Sequence, residues 1–126
     1  MSKVQILVVE DENIIALDLR IRLNGLGYAV LAVATSGEEA ITKATELHPD
    51  LVLMDIRLRG EMDGIEATQI IQAHSDVPIV YLTALADEDT LRRAEATRAQ
   101  GLIRKPFEDA ELRTAIEAAL DQSQKQ

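Results

Sequence analysis

The stretch Leu51-Val52-Leu53-Met54-Asp55 decides the fold. Its four apolar residues follow one another with no polar alternation, which suits a strand covered on both faces, as at the centre of a parallel sheet flanked by helices. The acid ending the run then lies at the strand's carboxyl end. In open α/β sheets that edge is where loops and helix N-termini converge and where ligands bind. Taken alone, Asp55 reads first as an ordinary turn acid. Its meaning depends on what the rest of the chain brings beside it.

Outward from this run the pattern repeats. Val4 to Val9 reads as a first strand, ended by Glu10-Asp11-Glu12 as abruptly as Asp55 ends the third. From about Asn13 to Leu26, Ile15, Leu19, Leu23 and Leu26 recur at helical spacing; Ile14, Leu17 and Ile21 widen the stripe, and Arg20, Arg22 and Asn24 face outward. Gly25 and Gly27 stop that helix. Tyr28 to Ala34 is a second strand, and Ser36-Gly37-Glu38-Glu39 carries the Ser-x-x-Glu capping pattern of a helix running to about Leu47. After Asp55 a polar loop, Ile56 to Gly64, leads into a helix from about Ile65 to Ala73. Val77 to Leu82 is a fourth buried strand with Pro78 near its start, ending in Thr83-Ala84. Asp87-Glu88-Asp89 opens a helix carrying Leu91 and Ala94, where the macrodipole favours acids. Gly101 to Arg104 is a short fifth strand followed by Lys105-Pro106-Phe107. The last helix spans about Glu108 to Leu120, with a polar tail beyond.

Five alternations of strand and helix, joined by right-handed crossovers, specify an α/β fold with a five-stranded parallel sheet and helices on both faces. The economical arrangement is the flavodoxin-like (βα)5 order 2-1-3-4-5, whose switch point lies between strands 1 and 3. Glu10, Asp11 and Asp55 meet there.

Composition narrows the chemistry. A chain of 126 residues holds one domain with a single core. No cysteine is present, which excludes disulfides, thiolate nucleophiles and Cys-based metal sites. With 13 basic against 22 acidic residues the net charge is −9, which disfavours direct contact with nucleic acid or anionic lipid. No apolar run approaches the roughly 18 residues of a membrane span, and no signal-peptide pattern opens the chain, so a cytoplasmic location is expected. Trp is absent, so the core is aliphatic and base-stacking platforms are lacking.

On one rim, then, stand Glu10, Asp11, Asp55, Thr83 and Lys105. Each has an ordinary explanation as a cap, a turn residue or a solvated charge. As a group they are costly, because two carboxylates about 5 Å apart at an effective dielectric near 20 repel by roughly 3 kcal/mol. A hard divalent cation resolves the cost, and all-oxygen ligands with room for water suit Mg²⁺. The first strand-to-helix turn offers acids where a phosphate cradle needs glycines, and no Gly-x-Gly-x-x-Gly or Gly-Lys-Ser/Thr loop occurs. Mg²⁺, a free carboxylate, a hydroxyl and an ammonium instead equip the rim to accept a phosphoryl group on the carboxylate.

These motifs carry a resemblance: ILVVEDE at Ile6 to Glu12, LVLMDI at Leu51 to Ile56, MDGIEA at Met62 to Ala67, IVYLTA at Ile79 to Ala84 and KPF at Lys105 to Phe107. Over about Lys3 to Leu120 the chain resembles the receiver domain of two-component response regulators. The resemblance implies a receiver domain over residues 1–121, with 122–126 a polar tail or the start of a linker. It implies a switch rather than a conventional enzyme, catalysing only its own phosphorylation and slow dephosphorylation. Asp55 would accept the phosphoryl group from a sensor histidine kinase or phosphotransfer protein. Glu10, Asp11, Asp55 and the backbone carbonyl of Arg57 would hold Mg²⁺, Thr83 would be the switch hydroxyl and Lys105 the phosphoryl's partner, with a cis Lys105-Pro106 peptide. The output would be the face of helix 4, strand 5 and helix 5, including Leu91, Arg92, Glu95, Asp109 and Arg113, acting on a downstream protein or fused output domain, or in a phosphorylation-dependent homodimer.

Three departures from the family pattern stand out. Leu102 occupies the position usually held by an aromatic that swings inward on activation. The loop after Asp55 is one residue longer than usual. Arg57 and Leu85 would flank the path of hydrolytic water, and their bulk implies a slowly decaying phosphoryl. Other classes fit less well. A haloacid-dehalogenase-like phosphatase needs Asp-x-Asp after the first strand, which reads Glu10-Asp11-Glu12, and a Toprim-like site needs it at strand 3, where position 57 is Arg. A receiver-like module that only binds partners would not need every acceptor-site group.

Overall fold

The computed structural model describes residues 3–84 and 87–124. Its elements are β1 (Gln5–Val9), α1 (Asn13–Gly25), β2 (Ala29–Ala34), α2 (Gly37–Leu47), β3 (Leu51–Asp55), α3 (Gly64–His74), β4 (Ile79–Thr83), α4 (Glu88–Ala96), β5 (Gly101–Arg104) and α5 (Asp109–Gln124). All strand pairs are parallel, in the expected order β2-β1-β3-β4-β5.

The apolar runs of the strands are explained by two separate clusters, one on each side of the sheet. Leu7, Val9, Val52, Met54, Ile79 and Tyr81 point to one face, against Ala40 and Ala44 of α2, Ile65 and Ile71 of α3, and Ala94 of α4. Ile6, Val8, Leu51, Leu53, Val80 and Leu82 point to the other, against Leu19 and Leu23 of α1 and Leu112 and Ile116 of α5. Successive residues of a strand face opposite sides, so β3, buried at all five positions, has no place for a polar residue before Asp55.

Several element boundaries shift by a residue or more from the sequence reading, and three of the shifts have a clear cause. β4 begins at Ile79 rather than Val77, because Pro78 has no N–H for the ladder and contributes only its carbonyl, to the Val52 amide (2.9 Å). α3 begins at Gly64 within a full capping box: Asp63 Oδ1 accepts from the Glu66 amide (2.8 Å), and Glu66 Oε1 accepts from the Asp63 amide (3.0 Å). α5 continues to Gln124, through residues read as tail, since no Gly or Pro interrupts it. The predicted cap of α2 is half right. Ser36 Oγ accepts from the Glu39 amide (3.0 Å), but Glu39 turns its carboxylate to the amide of Thr35 (2.6 Å).

On α1 the predicted stripe is too wide. Ala16, Leu19 and Leu23 are buried, whereas Ile14 (83% exposed), Leu17 (57%) and Ile21 (61%) lie on the solvent side. Arg22, expected to face outward, is largely covered, with 23% of its side chain exposed.

Candidate functional site

Strand register assembles the rim. Val9 pairs with Met54, so the next residues, Glu10 and Asp55, lie side by side across the gap where β1 and β3 diverge. Asp55 pairs with Leu82, and Thr83 pairs with Arg104, which delivers Thr83 and Lys105 to the same level. The Lys105 amide donates to the Thr83 carbonyl (2.9 Å), and the Lys105-Pro106 peptide is cis, as the family resemblance implies.

The side chains converge. Glu10 and Asp55 are buried, Asp11 is partly so, and one carboxylate oxygen from each lies within 4.8 Å of the others. Lys105 Nζ stands 3.0 Å from Glu10 Oε1 and 3.4 Å from Asp55 Oδ2. Backbone amides hold one oxygen of each acid: Arg57 donates to Asp55 Oδ1 (3.1 Å), Glu12 to Glu10 Oε2 (3.1 Å) and Arg59 to Asp11 Oδ2 (2.7 Å). The loop after β3 therefore folds back onto Asp11, where the Arg59 side chain adds a contact at 3.7 Å. Thr83 is buried at the end of β4. The loop turns closely under Asp55, because Gly64 sits where a Cβ would fall 2.1 Å from the Asp55 carbonyl oxygen.

Electrostatics follow from this packing. Burial pushes the Asp55 carboxyl up to about 7; Lys105 opposes the shift, the Glu10 charge reinforces it, and the Arg57 amide opposes it weakly. Burial depresses the Lys105 ammonium, but the carboxylates of Asp55 and Glu10 outweigh it and hold Lys105 above its ordinary value. Three carboxylates against one ammonium leave negative charge that a divalent cation would neutralise, and the donor set is all oxygen, as a hard cation requires. These residues fit Mg²⁺. Among the described residues they are also the sole group of three or more acids and histidines close enough to hold a metal.

Of the residues named from the sequence, Glu10, Asp11, Asp55, Thr83 and Lys105 are brought together. Arg57 stands beside Asp55 with its side chain exposed. Leu85 lies outside the described residues. Leu102 is half-buried on β5 opposite Tyr81, beside a recess of about 210 Å³ lined by Tyr81, Ala94, Ala99 and Leu102. The ring beneath α4 thus belongs to β4. Thr97 Oγ1 donates to the Ala94 carbonyl (2.6 Å), so at the 3.0 Å contact the Tyr81 hydroxyl donates to Thr97. Asp109, at the start of α5, is paired with Arg22 of α1 (2.7 Å) while its side chain stays more than half exposed.

A parallel sheet with acids at its switch point, a buried carboxylate ending the central strand and a lysine just past the last strand is the arrangement of a receiver-type fold. The sequence profile of the response regulator receiver domain matches residues 6–117, and the chain belongs to that family, the receivers of two-component response regulators. It is 40% identical over 117 residues to the transcriptional regulatory protein PdtaR of Mycobacterium tuberculosis, a match covering 92% of this chain and 56% of PdtaR. It is 41% identical over 116 residues to the DNA-binding response regulator MtrA of Mycobacterium leprae, covering 92% of this chain and 51% of MtrA. The chain thus spans about half the length of these relatives. Among solved structures, the receiver domain of a modulated diguanylate cyclase from Desulfovibrio desulfuricans superposes with a TM-score of 0.91 at 37% identity, covering 98% of each chain. The receiver domain of a sensor histidine kinase from Pseudomonas aeruginosa, solved with magnesium coordinated in its active site cleft, superposes at 0.86 with 31% identity, covering 95% of this chain and 99% of that one. Among the described residues no helix is long and apolar enough to cross a membrane.

Proposed function

We propose that this receiver is a phosphorylation-controlled switch in which Asp55 accepts a phosphoryl group from a phosphohistidine. The observation that carries the reading is the environment of Asp55: a buried carboxylate with Oδ1 held by the Arg57 amide and Oδ2 3.4 Å from Lys105 Nζ. An oxygen of the ionised carboxylate attacks phosphorus; the O–P bond forms as the P–N bond breaks, and the imidazole leaves with the electron pair and takes up a proton. Lys105 neutralises charge on the transferred group, and Thr83 hydrogen-bonds one of its oxygens. Glu10, Asp11, Asp55 and the Arg57 carbonyl would hold Mg²⁺, which supplies further neutralisation of phosphoryl charge; the magnesium in the Pseudomonas receiver supports this assignment.

The chain performs this transfer on itself and loses the phosphoryl slowly, without turning over a separate substrate. The donor is a histidine kinase or phosphotransfer protein, and the reader is a downstream protein, a fused output domain or a second phosphorylated copy at α4, β5 and α5. The exposed Ile14, Leu17 and Ile21 lie on the helix that begins just past Glu10 and Asp11, where a donor protein must seat to reach Asp55. Serine at Ile14 and Leu17 is expected to slow transfer from a phosphohistidine protein by about tenfold and leave phosphorylation by acetyl phosphate unchanged.

The decisive experiment is incubation with acetyl phosphate and Mg²⁺ followed by intact-mass measurement. Wild type is expected to gain one hydroxylamine-labile phosphoryl group, and Asp55→Asn none. A wild type that stays unmodified, and that Mg²⁺ with beryllofluoride does not stabilise, would overturn the reading.

A further inference from the structure

We infer that Arg22 is a positioning residue for this chemistry: by holding the loop after β5 it fixes the ammonium of Lys105 beside Asp55. The inference rests on the phosphoacceptor reading above. Arg22, in the last turn of α1, points across to residues just past Lys105. Its Nη2 donates to the Phe107 carbonyl (2.6 Å), its Nε donates to Asp109 Oδ1 (2.7 Å), and its guanidinium lies 4.4 Å from the centroid of the Phe107 ring. Asp18, one turn back on α1, stands 3.5 Å from Nη1 and helps hold the group in place.

The geometry makes this more than a surface ion pair. Lys105 is tied upstream by its own amide to the Thr83 carbonyl. Downstream, Pro106 offers no N–H, and the Glu108 amide is spent within its own turn, on Glu111 Oε1 (3.1 Å). Among the described residues, Arg22 is therefore the side chain from another element that hydrogen-bonds the backbone between Lys105 and α5, beside the packing of Phe107 against the cluster under α1 and α5. A guanidinium does this where an ammonium would not, because its planar fork can bond the carbonyl and the carboxylate while stacking on the ring. Lys105 carries a long, flexible side chain that must reach two carboxylates and, on phosphorylation, a phosphoryl oxygen. A backbone anchor two residues away narrows where its ammonium can stand, and small displacements of such a group are costly to a reaction governed by charge placement.

The test measures Mg²⁺ affinity by calorimetry and beryllofluoride affinity at saturating Mg²⁺ by fluorine NMR, with Arg22→Gln, Arg22→Lys and Asp109→Asn each made in the wild-type and Lys105→Met backgrounds. Arg22→Gln is expected to weaken beryllofluoride binding at saturating Mg²⁺ by roughly tenfold and, because Lys105 also contacts Glu10 and Asp55, to change Mg²⁺ affinity by a smaller factor. Arg22→Lys should fall in between. In the Lys105→Met background Arg22→Gln should produce no further loss, because the ammonium it positions is gone. Unchanged beryllofluoride affinity in folded Arg22→Gln, or an equal loss with and without Lys105, overturns the inference and leaves Arg22 a structural tie. If Arg22→Gln does not fold, Asp109→Asn carries the same cycle with a smaller expected loss. Failure of wild type itself to bind beryllofluoride would instead overturn the phosphoacceptor reading, and this inference with it.

Discussion

In metal-free buffer at neutral pH, Asp55→Asn is expected to unfold at a higher temperature than wild type. Burial holds the Asp55 carboxyl near 7 in the folded protein, against an ordinary value of 3.8. The folded state therefore keeps a proton that the unfolded state releases. Stability from this group is fully present below pH 3.8 and is lost as pH rises through about 7, so wild type carries a deficit at neutral pH that an amide does not. Allowing for partial solvent screening, the difference at pH 8 should be about 2 kcal/mol, a rise of several degrees in Tm for a domain of this size. The gap should close as pH falls toward 4. Adding Mg²⁺ should raise the Tm of wild type by mass action and that of the variant much less. Thermal unfolding followed by circular dichroism from pH 4 to 8, with chelator and with Mg²⁺, measures both trends. A gap independent of pH would show that burial of the charge is not its source.

Gly64→Ala should be the most damaging single methyl in the chain. The added Cβ would stand 2.1 Å from the Asp55 carbonyl oxygen and 2.9 Å from its carbonyl carbon, both backbone atoms that no rotamer change can move aside. The Gly64 amide also donates to the Ile56 carbonyl (2.8 Å), so α3 cannot retreat without losing that bond. A stability loss of about 2–4 kcal/mol is expected, read as a lower urea midpoint with an unchanged slope. Acetyl phosphate labelling should fall further than the folded fraction does, because the backbone that has to shift is that of Asp55. Gly60, in the same loop, provides the contrast. It has φ +100 and open space around it, so Gly60→Ala should cost only about 1 kcal/mol, from backbone strain alone.

The fold was legible because β3 and its neighbours are buried on both faces, which leaves unbroken apolar runs that end where the sheet ends. Asp55, Glu10, Thr83 and Lys105 were legible for the same reason: each is the first polar residue after such a run or stands at the end of a short strand. Arg22, Ile14, Leu17 and Ile21 were misread together. α1 carries apolar residues around most of its circumference, so periodicity alone does not say which third faces the sheet, and placing the stripe too broadly left Arg22 on the wrong side. Its partners, Phe107 and Asp109, lie more than 80 positions away, beyond the reach of any local spacing rule. The pairing of Asp109 with α1 was hidden by the same separation. Where β4 starts and where α3 is capped were written locally, in Pro78 and in the Asp63–Glu66 pair, and a stricter reading of those residues would have found them.

The two-faced core has a spectroscopic consequence. The chain has no tryptophan and two tyrosines, and the sheet separates them: Tyr81 lies in the cluster under α2, α3 and α4, Tyr28 in the one under α1 and α5. Burial is the leading cause holding both phenols above their ordinary ionisation range, with the Glu117 charge adding to it at Tyr28. Each layer therefore carries one tyrosine chromophore. Near-ultraviolet signals from the unaltered protein can be divided between its two sides with a single Tyr28→Phe control, so loosening of α4 can be followed separately from loosening of the helix pair opposite.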